Sequence, residues 1–321
     1  MRVRFWGTRG SLPSTVTHEH VRRKIVAAIR EFQKNGLRQH ESIEEFVDAE
    51  LPFSVAGSYG CNTSCVEIEN QDEHIICDAG AGLRDLGQHV VRSAAHRAGE
   101  RQEIFHIFLS HLHWDHIQGF PFFVPAYIPG YRIHVYGFHD ELQEALTTQQ
   151  DAPHFPVPLK SMKADIRFTV LDLERECRIA GFTVRGIKQN HPGASYGYSF
   201  EKEGKKIVYS TDCEHKSEVD DEEYPFVEFF RNADLLIYDA QYNLKEAIHT
   251  KEDWGHSSNL VGVELAVRAG VKRLCLYHNE PTSDDWALDA FFEDTRRYLA
   301  IHESSSTLEV LLAYDGLIVE V

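Results

Sequence analysis

One stretch of this chain indicates its architecture: Ile104-Phe105-His106-Ile107-Phe108-Leu109-Ser110, followed directly by His111-Leu112-His113-Trp114-Asp115-His116. The first segment is apolar enough to be a buried strand, so the second lies at that strand's carboxyl end. Imidazole and carboxylate together suit zinc, manganese or iron better than calcium or magnesium. Four such groups in six residues exceed what one tetrahedral ion takes from a short loop, which indicates two ions. A polar surface turn is the ordinary alternative, but the preceding strand and the following Gly119 and Pro121 favour a metal site.

The size and charge of the chain limit its class and its partners. Its 321 residues, 42% of them hydrophobic, support a large core, and we expect residues 1–321 to form a single domain. The formal net charge of −17 repels polyanions. Extended nucleic acid is therefore a disfavoured partner unless a basic patch or metal ions reverse the sign locally.

No segment has the run of apolar residues needed to span a bilayer. The alternating run Met1–Gly7 is typical of a strand rather than of a signal peptide. We therefore expect a cytoplasmic protein with no membrane partner and with free thiols at its six cysteines. Cys61 and Cys65 are four residues apart, but no second pair at finger-like spacing supports a structural zinc there.

Strand-like and helical patterns alternate along both halves of the chain, with some hairpin-like strand pairs. This alternation predicts an α/β fold in which two mixed β-sheets are covered by helices. The strand-like runs are Val3–Trp6, Cys65–Ile68, His74–Cys77, Ile104–Leu109, Arg132–Tyr136, Ile166–Leu171, Phe182–Lys188, Tyr196–Phe200, Lys206–Ser210, Asp234–Tyr238, Arg273–Leu276 and Leu308–Leu311.

A pair of helices is predicted near the N-terminus, at about residues 18–51. Apolar residues from Val21 to Phe32 recur at helical spacing, and a second short helix follows from about Ser42. The pair lies between turn-rich segments at residues 7–11 and 57–62, so we interpret it as a helical insertion into the main body. It could cover an active site or mediate a partner contact such as a homodimer, and plain packing is an equal alternative.

Three later residues repeat the context of the opening cluster, because each is a potential ligand just after a strand. They are His191, Asp212 and His278. Strand ends at one edge of a layered α/β body can converge, so one site could collect all of these groups. Each residue alone would be an ordinary loop residue, and the combination favours a shared site.

These segments, in this order, resemble the metal-binding motifs of the metallo-β-lactamase fold superfamily. Asp78, in Ile76-Cys77-Asp78-Ala79-Gly80-Ala81-Gly82, resembles the family's early Asp-containing motif. Trp254-Gly255-His256-Ser257-Ser258 resembles the segment before the last metal histidine in the ribonuclease Z-like and phosphodiesterase subgroup. Gly7-Thr8-Arg9-Gly10-Ser11 is similar to the opening of metal-dependent or cyclic-nucleotide phosphodiesterases of the family. The resemblance covers nearly the whole chain and implies a four-layer αββα sandwich.

The resemblance also implies two divalent transition-metal ions, expected to be zinc with manganese as the alternative. The implied ligands are His111, His113 and His191 for one ion, Asp115, His116 and His278 for the other, and Asp212 bridging both. Two such cations lower the pKa of a bridging water toward neutrality, which gives a hydroxide nucleophile without a strong protein base.

The implied catalytic residues are His256, Asp239 and the ligand Asp115. His256 would donate a proton to the leaving alkoxide, because a histidine titrates near working pH. Asp239 would orient it, although the matching position in the subgroup is usually Glu. The ordinary alternative for His256 is a helix-start residue beside an N-cap serine.

Weaker candidates could contact the substrate itself. Asn62, Ser64 and Arg9 could donate hydrogen bonds to a phosphate, although such residues are more often turn formers. Trp114 and Tyr196 could stack on a base, although core or loop packing is the more ordinary role.

The sequence therefore predicts a metal-dependent hydrolase, specifically a phosphodiesterase whose partner is a small or cyclic phosphodiester. A tRNA 3′-processing nuclease of the ribonuclease Z type is one alternative. The acidic chain shows no basic, Gly/Pro-rich arm between Tyr136 and Arg167 to hold tRNA. A non-hydrolytic metal-binding or sensor protein of the same fold is the other alternative, and the complete ligand set counts against it.

Overall fold

Two β-sheets pack face to face in this computed structural model, which describes residues 1–37, 40–70, 73–95, 103–216, 221 and 223–321. The strands within these ranges are, in chain order, β1 (Arg2–Gly7), β2 (Cys65–Asn70), β3 (Glu73–Cys77), β4 (Ile104–Phe108), β5 (Arg132–Gly137), β6 (Asp165–Val170), β7 (Cys177–Ile179), β8 (Phe182–Gln189), β9 (Ser195–Lys202), β10 (Lys205–Ser210), β11 (Leu235–Asp239), β12 (Arg273–Tyr277), β13 (Glu309–Leu312) and β14 (Ile318–Glu320).

Both sheets are mixed. The first has the order β14-β1-β2-β3-β4-β5-β6, and the second has the order β13-β12-β11-β10-β9-β8-β7. Strands β3 to β6 run parallel, as do strands β10 to β13, and the other pairings are antiparallel. The parallel halves bring the carboxyl ends of several strands to a common edge, where loops can collect functional groups.

Helices cover the outer faces of the sheets. Within the described ranges they are α1 (His18–Asn35), α2 (Ile43–Glu50), α3 (Phe53–Ala56), α4 (Gly82–Ala95), α5 (Trp114–Ile117), α6 (Leu142–Gln149), α7 (Pro225–Phe230), α8 (Leu244–His249), α9 (Asn259–Arg268) and α10 (Asp285–His302). Short 3₁₀ turns occur at Phe120–Phe122, Val124–Tyr127 and Leu159–Ser161. Across the described part of the chain, no helix combines the length and the apolar character that a membrane crossing needs.

Three apolar clusters define the layers. Phe5, Phe108 and Phe200 belong to the cluster between the two sheets. A second cluster joins β4 and β5 to α4 and α6 on one outer face, and a third joins β11 and β12 to α7 and α9 on the other. Burial of these three clusters is the main stabilising contribution. The predicted α/β fold, a four-layer αββα sandwich of two mixed sheets, is confirmed.

The predicted N-terminal helices lie between two neighbouring strands, since β1 pairs directly with β2. Helix α1 buries none of its residues, and Val21, Ile25 and Ile29 are 46%, 54% and 54% exposed. The helix is attached through Lys24, whose Nζ donates to two carbonyls of the α3 segment at 2.6 Å each. The insertion at 18–51, the single domain at 1–321 and the homodimer stay predictions, and residues 38 and 39 lie outside the described ranges.

Two strands were missed by the sequence analysis. Strands β7 and β14 have three residues each and lie at the edge of a sheet. A run of three residues is too short to show a period of two, so pairing with a neighbouring strand is their main determinant.

Candidate metal centre

The predicted ligands meet at one edge of the two sheets. The segment from His111 to His116 follows β4 and ends in the single turn α5, while His191, Asp212 and His278 follow β8, β10 and β12. Parallel strands hold these loops at a common height, which explains why residues far apart in sequence converge.

The backbone at this edge is strained. Asp78, Asp212 and His278 adopt φ angles of 62°, 51° and 63°, the left-handed region that non-glycine residues rarely enter. Such conformations persist only where the surroundings impose them, and they concentrate at functional sites.

His111, His113 and His191 form the first ligand group, in which one ring nitrogen of each residue lies within 4.8 Å of the other two. Nδ1 of His113 lies 3.1 Å from Nε2 of His191. His111 is fully buried, whereas His113 is exposed, so the cluster opens to solvent on the His113 side.

The second group comprises Asp115, His116, Asp212 and His278, and all four are buried. Nε2 of His116 lies 3.3 Å from Nε2 of His278 and 3.1 Å from Oδ2 of Asp115. The backbone N–H of Ser11 donates to the same Asp115 oxygen at 2.8 Å.

Asp212 divides its two carboxylate oxygens between these groups. Oδ2 lies 3.6 Å from His111 Nε2 and 3.9 Å from His191 Nε2. Oδ1 lies 3.3 Å from His116 Nε2 and 3.4 Å from His278 Nε2. This is the arrangement expected of a carboxylate between two cations.

The chemistry of the donor set fits metal ions. Nε2 of His111 is buried and has no hydrogen-bond partner in the described structure. Burial and the neighbouring His116 hold the pKa of His111 well below its usual value, so His111 stays in the neutral form that can bind a metal. Facing imidazole nitrogens with an orphaned lone pair have little reason to converge without a cation.

A second set of contacts orients these ligands. Nδ1 of His116 donates to Asp78 at 2.7 Å, Nδ1 of His191 donates to the Gly255 carbonyl at 2.9 Å, and Nδ1 of His278 donates to Gln241 at 3.0 Å. Each bond leaves Nε2 directed toward the cluster. Gln241 was not among the predicted site residues. Its position, two residues after Asp239 at the end of β11, was the available signal.

His256 and Asp239 adjoin the second group. Nδ1 of His256 donates to Asp239 Oδ2 at 2.9 Å, and the His256 ring stacks on His278 with centroids 5.0 Å apart. Burial lowers the pKa of His256, but the Asp239 carboxylate outweighs burial and raises the pKa to about 9. The N-cap of α9 is Ser258, so capping of that helix does not involve the His256 side chain.

The three residues predicted to contact the substrate are buried or hydrogen-bonded within the protein. The Arg9 side chain, 3% exposed, donates to the carbonyls of Gly60, Glu280 and Ser283. The Asn62 amide donates to the Trp6 carbonyl and to Asp85. Ser64 is fully buried. The hydrogen bonds of Arg9 and Asn62 connect loops of the protein to one another. The substrate-binding role of Arg9, Asn62 and Ser64 stays a prediction, and the contacts in the structure do not support it.

The fold and the site define a metal-dependent hydrolase of the metallo-β-lactamase fold, as the sequence predicted. The sequence profile of the family described as "Beta-lactamase superfamily domain" matches residues 73–279, and the chain belongs to this family. The predicted resemblance is thereby confirmed.

Individual relatives share the fold at low identity. Ribonuclease Z of Thermoplasma acidophilum is 23% identical over 281 residues, which cover 71% of this chain and 85% of that protein. The metallo-β-lactamase fold protein YhfI of Bacillus subtilis superimposes with a TM-score of 0.65 and 18% identity, covering 100% of this chain and 98% of YhfI. A diphosphatase of the PhnP family gives a TM-score of 0.60 and 16% identity, covering 100% and 97% of the two chains.

Proposed function

We propose that the protein hydrolyses a small or cyclic phosphodiester at a centre of two divalent ions, zinc or, as the alternative, manganese. The observation that carries this proposal is the hydrogen-bonded pair of His256 and Asp239, stacked on the ligand His278. A proton donor beside a metal cluster suits cleavage of a phosphate ester, because the leaving alkoxide needs a proton.

Seven residues would hold the two ions. They are His111, His113, His191, Asp115, His116, His278 and the bridging Asp212. When bound, the ions supply an activated water and neutralise the charge that builds on the phosphate oxygens. The mixed nitrogen and oxygen donor set accepts both zinc and manganese.

His256 would hold the proton for the leaving group. Its Nδ1 is engaged by Asp239, so Nε2 is the atom left to donate. Asp239 accepts the backbone N–H groups of Cys213 at 3.1 Å and Gln241 at 3.2 Å, which fix the carboxylate behind the imidazole. The predicted orienting role of Asp239 has this geometry as its support. Asp115, as ligand and catalytic residue, is held by the N–H of Ser11.

A ribonuclease Z-like activity is the second candidate, and the ribonuclease Z relatives favour it. Against it stand the net charge of −17 and the absence of a basic arm between Tyr136 and Arg167. The small diester remains our first choice of substrate, and the cytoplasm our proposed location.

Metal analysis and turnover test the proposal together. We expect about two transition-metal ions per chain, turnover of bis-p-nitrophenyl phosphate or of cyclic nucleotides, and loss of activity in Asp212→Ala. His256→Ala should lower kcat for a cyclic nucleotide, whose leaving group is an alkoxide, by about 10²- to 10⁴-fold while metal content is kept. The loss should be much smaller for bis-p-nitrophenyl phosphate, because p-nitrophenolate leaves without a proton. Asp172→Ala and His249→Ala, at exposed positions, are the matched controls. No turnover of any diester at full metal loading would refute the proposal, and faster cleavage of pre-tRNA than of small diesters would favour the second candidate.

A further inference from the structure

Two exposed indoles belong to residues that adjoin the candidate metal centre along the chain. Trp114 is 79% exposed, and Trp254 is 56% exposed. The other two tryptophans of the chain are engaged elsewhere, since Trp6 donates to Glu67 at 2.8 Å and the Arg23 guanidinium covers Trp286 at 3.6 Å. Large aromatic side chains that are exposed near one another are typical of a binding surface.

Both exposed indoles are attached to the mouth of the site. Trp114 follows His113, the exposed ligand, and Trp254 precedes Gly255, whose carbonyl holds His191 at 2.9 Å. Nδ1 of His113 and Nε2 of His191 are themselves 3.1 Å apart, so each tryptophan is one residue along the chain from a residue in contact with His191.

Local contacts hold each tryptophan in place. Trp114 begins α5, where its carbonyl accepts the N–H of Gln118 at 2.7 Å. The Lys251 ammonium lies 3.8 Å from the Trp254 ring centroid, a cation–π contact that supports one face of that ring. Tyr196, the other aromatic candidate from the sequence, instead packs against Phe138 with centroids 4.9 Å apart.

We infer that Trp114 and Trp254 bind a planar group, a nucleobase or an aryl ring, that stays attached to the phosphate when the leaving group departs. This inference rests on the proposed phosphodiesterase function and narrows its substrate class. Stacking on an indole tolerates any planar ring, so affinity would come from ring contact and little sequence readout is needed. The two residues would determine specificity without taking part in proton transfer.

Three diesters with the same leaving group test this inference on the metal-loaded protein. They are methyl p-nitrophenyl phosphate, bis-p-nitrophenyl phosphate and thymidine 5′-p-nitrophenyl phosphate. We expect Trp114→Ala and Trp254→Ala each to raise KM roughly tenfold for a diester whose retained group is planar, equivalent to about 1.4 kcal/mol, with kcat nearly unchanged. KM for the methyl diester should change little, Trp114→Phe should restore most of the affinity, and Ile301→Ala, at an exposed site on α10, should match wild type.

The pattern across substrates decides the outcome. A rise in KM with the thymidine diester alone supports a nucleobase, and a rise with both planar diesters supports any planar ring. An equal change with the methyl diester, or no change with any, overturns the inference.

Binding measured without turnover separates this inference from the proposed function. Thymidine 5′-monophosphate should bind the wild type in isothermal titration calorimetry. Its affinity should fall in each single variant and be lost in the double variant Trp114→Ala/Trp254→Ala. Wild-type affinity in the double variant refutes the aromatic site, even if no diester is hydrolysed.

Discussion

Replacing Asp78 by Asn should weaken both the fold and the metal centre, although Asp78 is not itself among the proposed ligands. Asp78 is fully buried. Its Oδ2 accepts from Ser110 Oγ at 2.8 Å, from His116 Nδ1 at 2.7 Å and from Tyr209 Oη at 2.7 Å, while Oδ1 accepts the Ser110 N–H at 2.7 Å. Both oxygens therefore act only as acceptors.

The asparagine amide cannot reproduce this pattern in either orientation. One orientation directs its NH₂ at three donors, and the other directs it at a backbone N–H. A hydrogen bond to a charged group contributes about 1.5–3 kcal/mol, and an unsatisfied buried donor costs about 1–3 kcal/mol. We therefore expect a loss of roughly 3–5 kcal/mol in the free energy of unfolding. Because Asp78 orients His116, metal affinity should fall by about 10- to 100-fold.

Urea unfolding of the metal-free protein and competition with a fluorescent chelator measure the two effects separately. Tyr209→Phe removes one of the three donors to Oδ2 and should cost only about 1–2 kcal/mol. Asp172→Asn, at an exposed carboxylate, serves as the control and should leave both quantities unchanged. If Asp78→Asn destabilises the protein by less than about 1 kcal/mol and keeps its metal affinity, the orienting role assigned to Asp78 is incorrect.

Two further predictions concern a buried ion cluster and a close approach at the site. Burial lowers the pKa of His74, but hydrogen bonds to Glu103 and Glu67 outweigh burial and raise it from 6.5 to about 9. The resulting stabilisation is complete below pH 6.5 and is lost as the pH rises through 9. The free energy of unfolding of the wild type should therefore fall between pH 7 and 10, and that of His74→Gln should fall less. Urea midpoints that change in parallel for the two proteins would contradict this prediction. In Gly10→Ala, the added Cβ would lie 2.4 Å from Nδ1 of the buried His278, so the imidazole ring must move. The metal content should then fall below two ions per chain, as measured by elemental analysis. Full occupancy would show that the ring can shift without loss of metal binding.

The parts of the fold and site that depend on neighbouring residues were predicted from the sequence. The segment His111–His116 follows its strand directly, and apolar runs such as Ile104–Leu109 and Arg273–Leu276 correspond closely to observed strands. Helix α1 was also predicted, because helical spacing is a local property. The exposure of its apolar residues was not predicted, since Val21, Ile25 and Ile29 remain in water. Contacts of Arg23 and Lys24 attach the helix to the rest of the chain instead.

The convergence of His191, Asp212 and His278 was predicted from the strand that precedes each of them, although up to 167 positions (278 − 111) separate them from the opening cluster. Their division between two ions depended on the resemblance to a known family. The roles of Arg9 and Asn62 could not be foreseen, since an exposed loop donor and a buried loop tie have the same sequence pattern.

The sequence by itself determined the strands, the helices and the type of metal ligand, because each depends on spacing and side-chain chemistry over a few residues. Packing between distant segments decides two other features. They are the ligand group that each carboxylate oxygen of Asp212 faces, and the exposure of two of the four tryptophans. The physical reason is that burial and hydrogen bonding are set by neighbours in space, and at this site those neighbours come from both sheets.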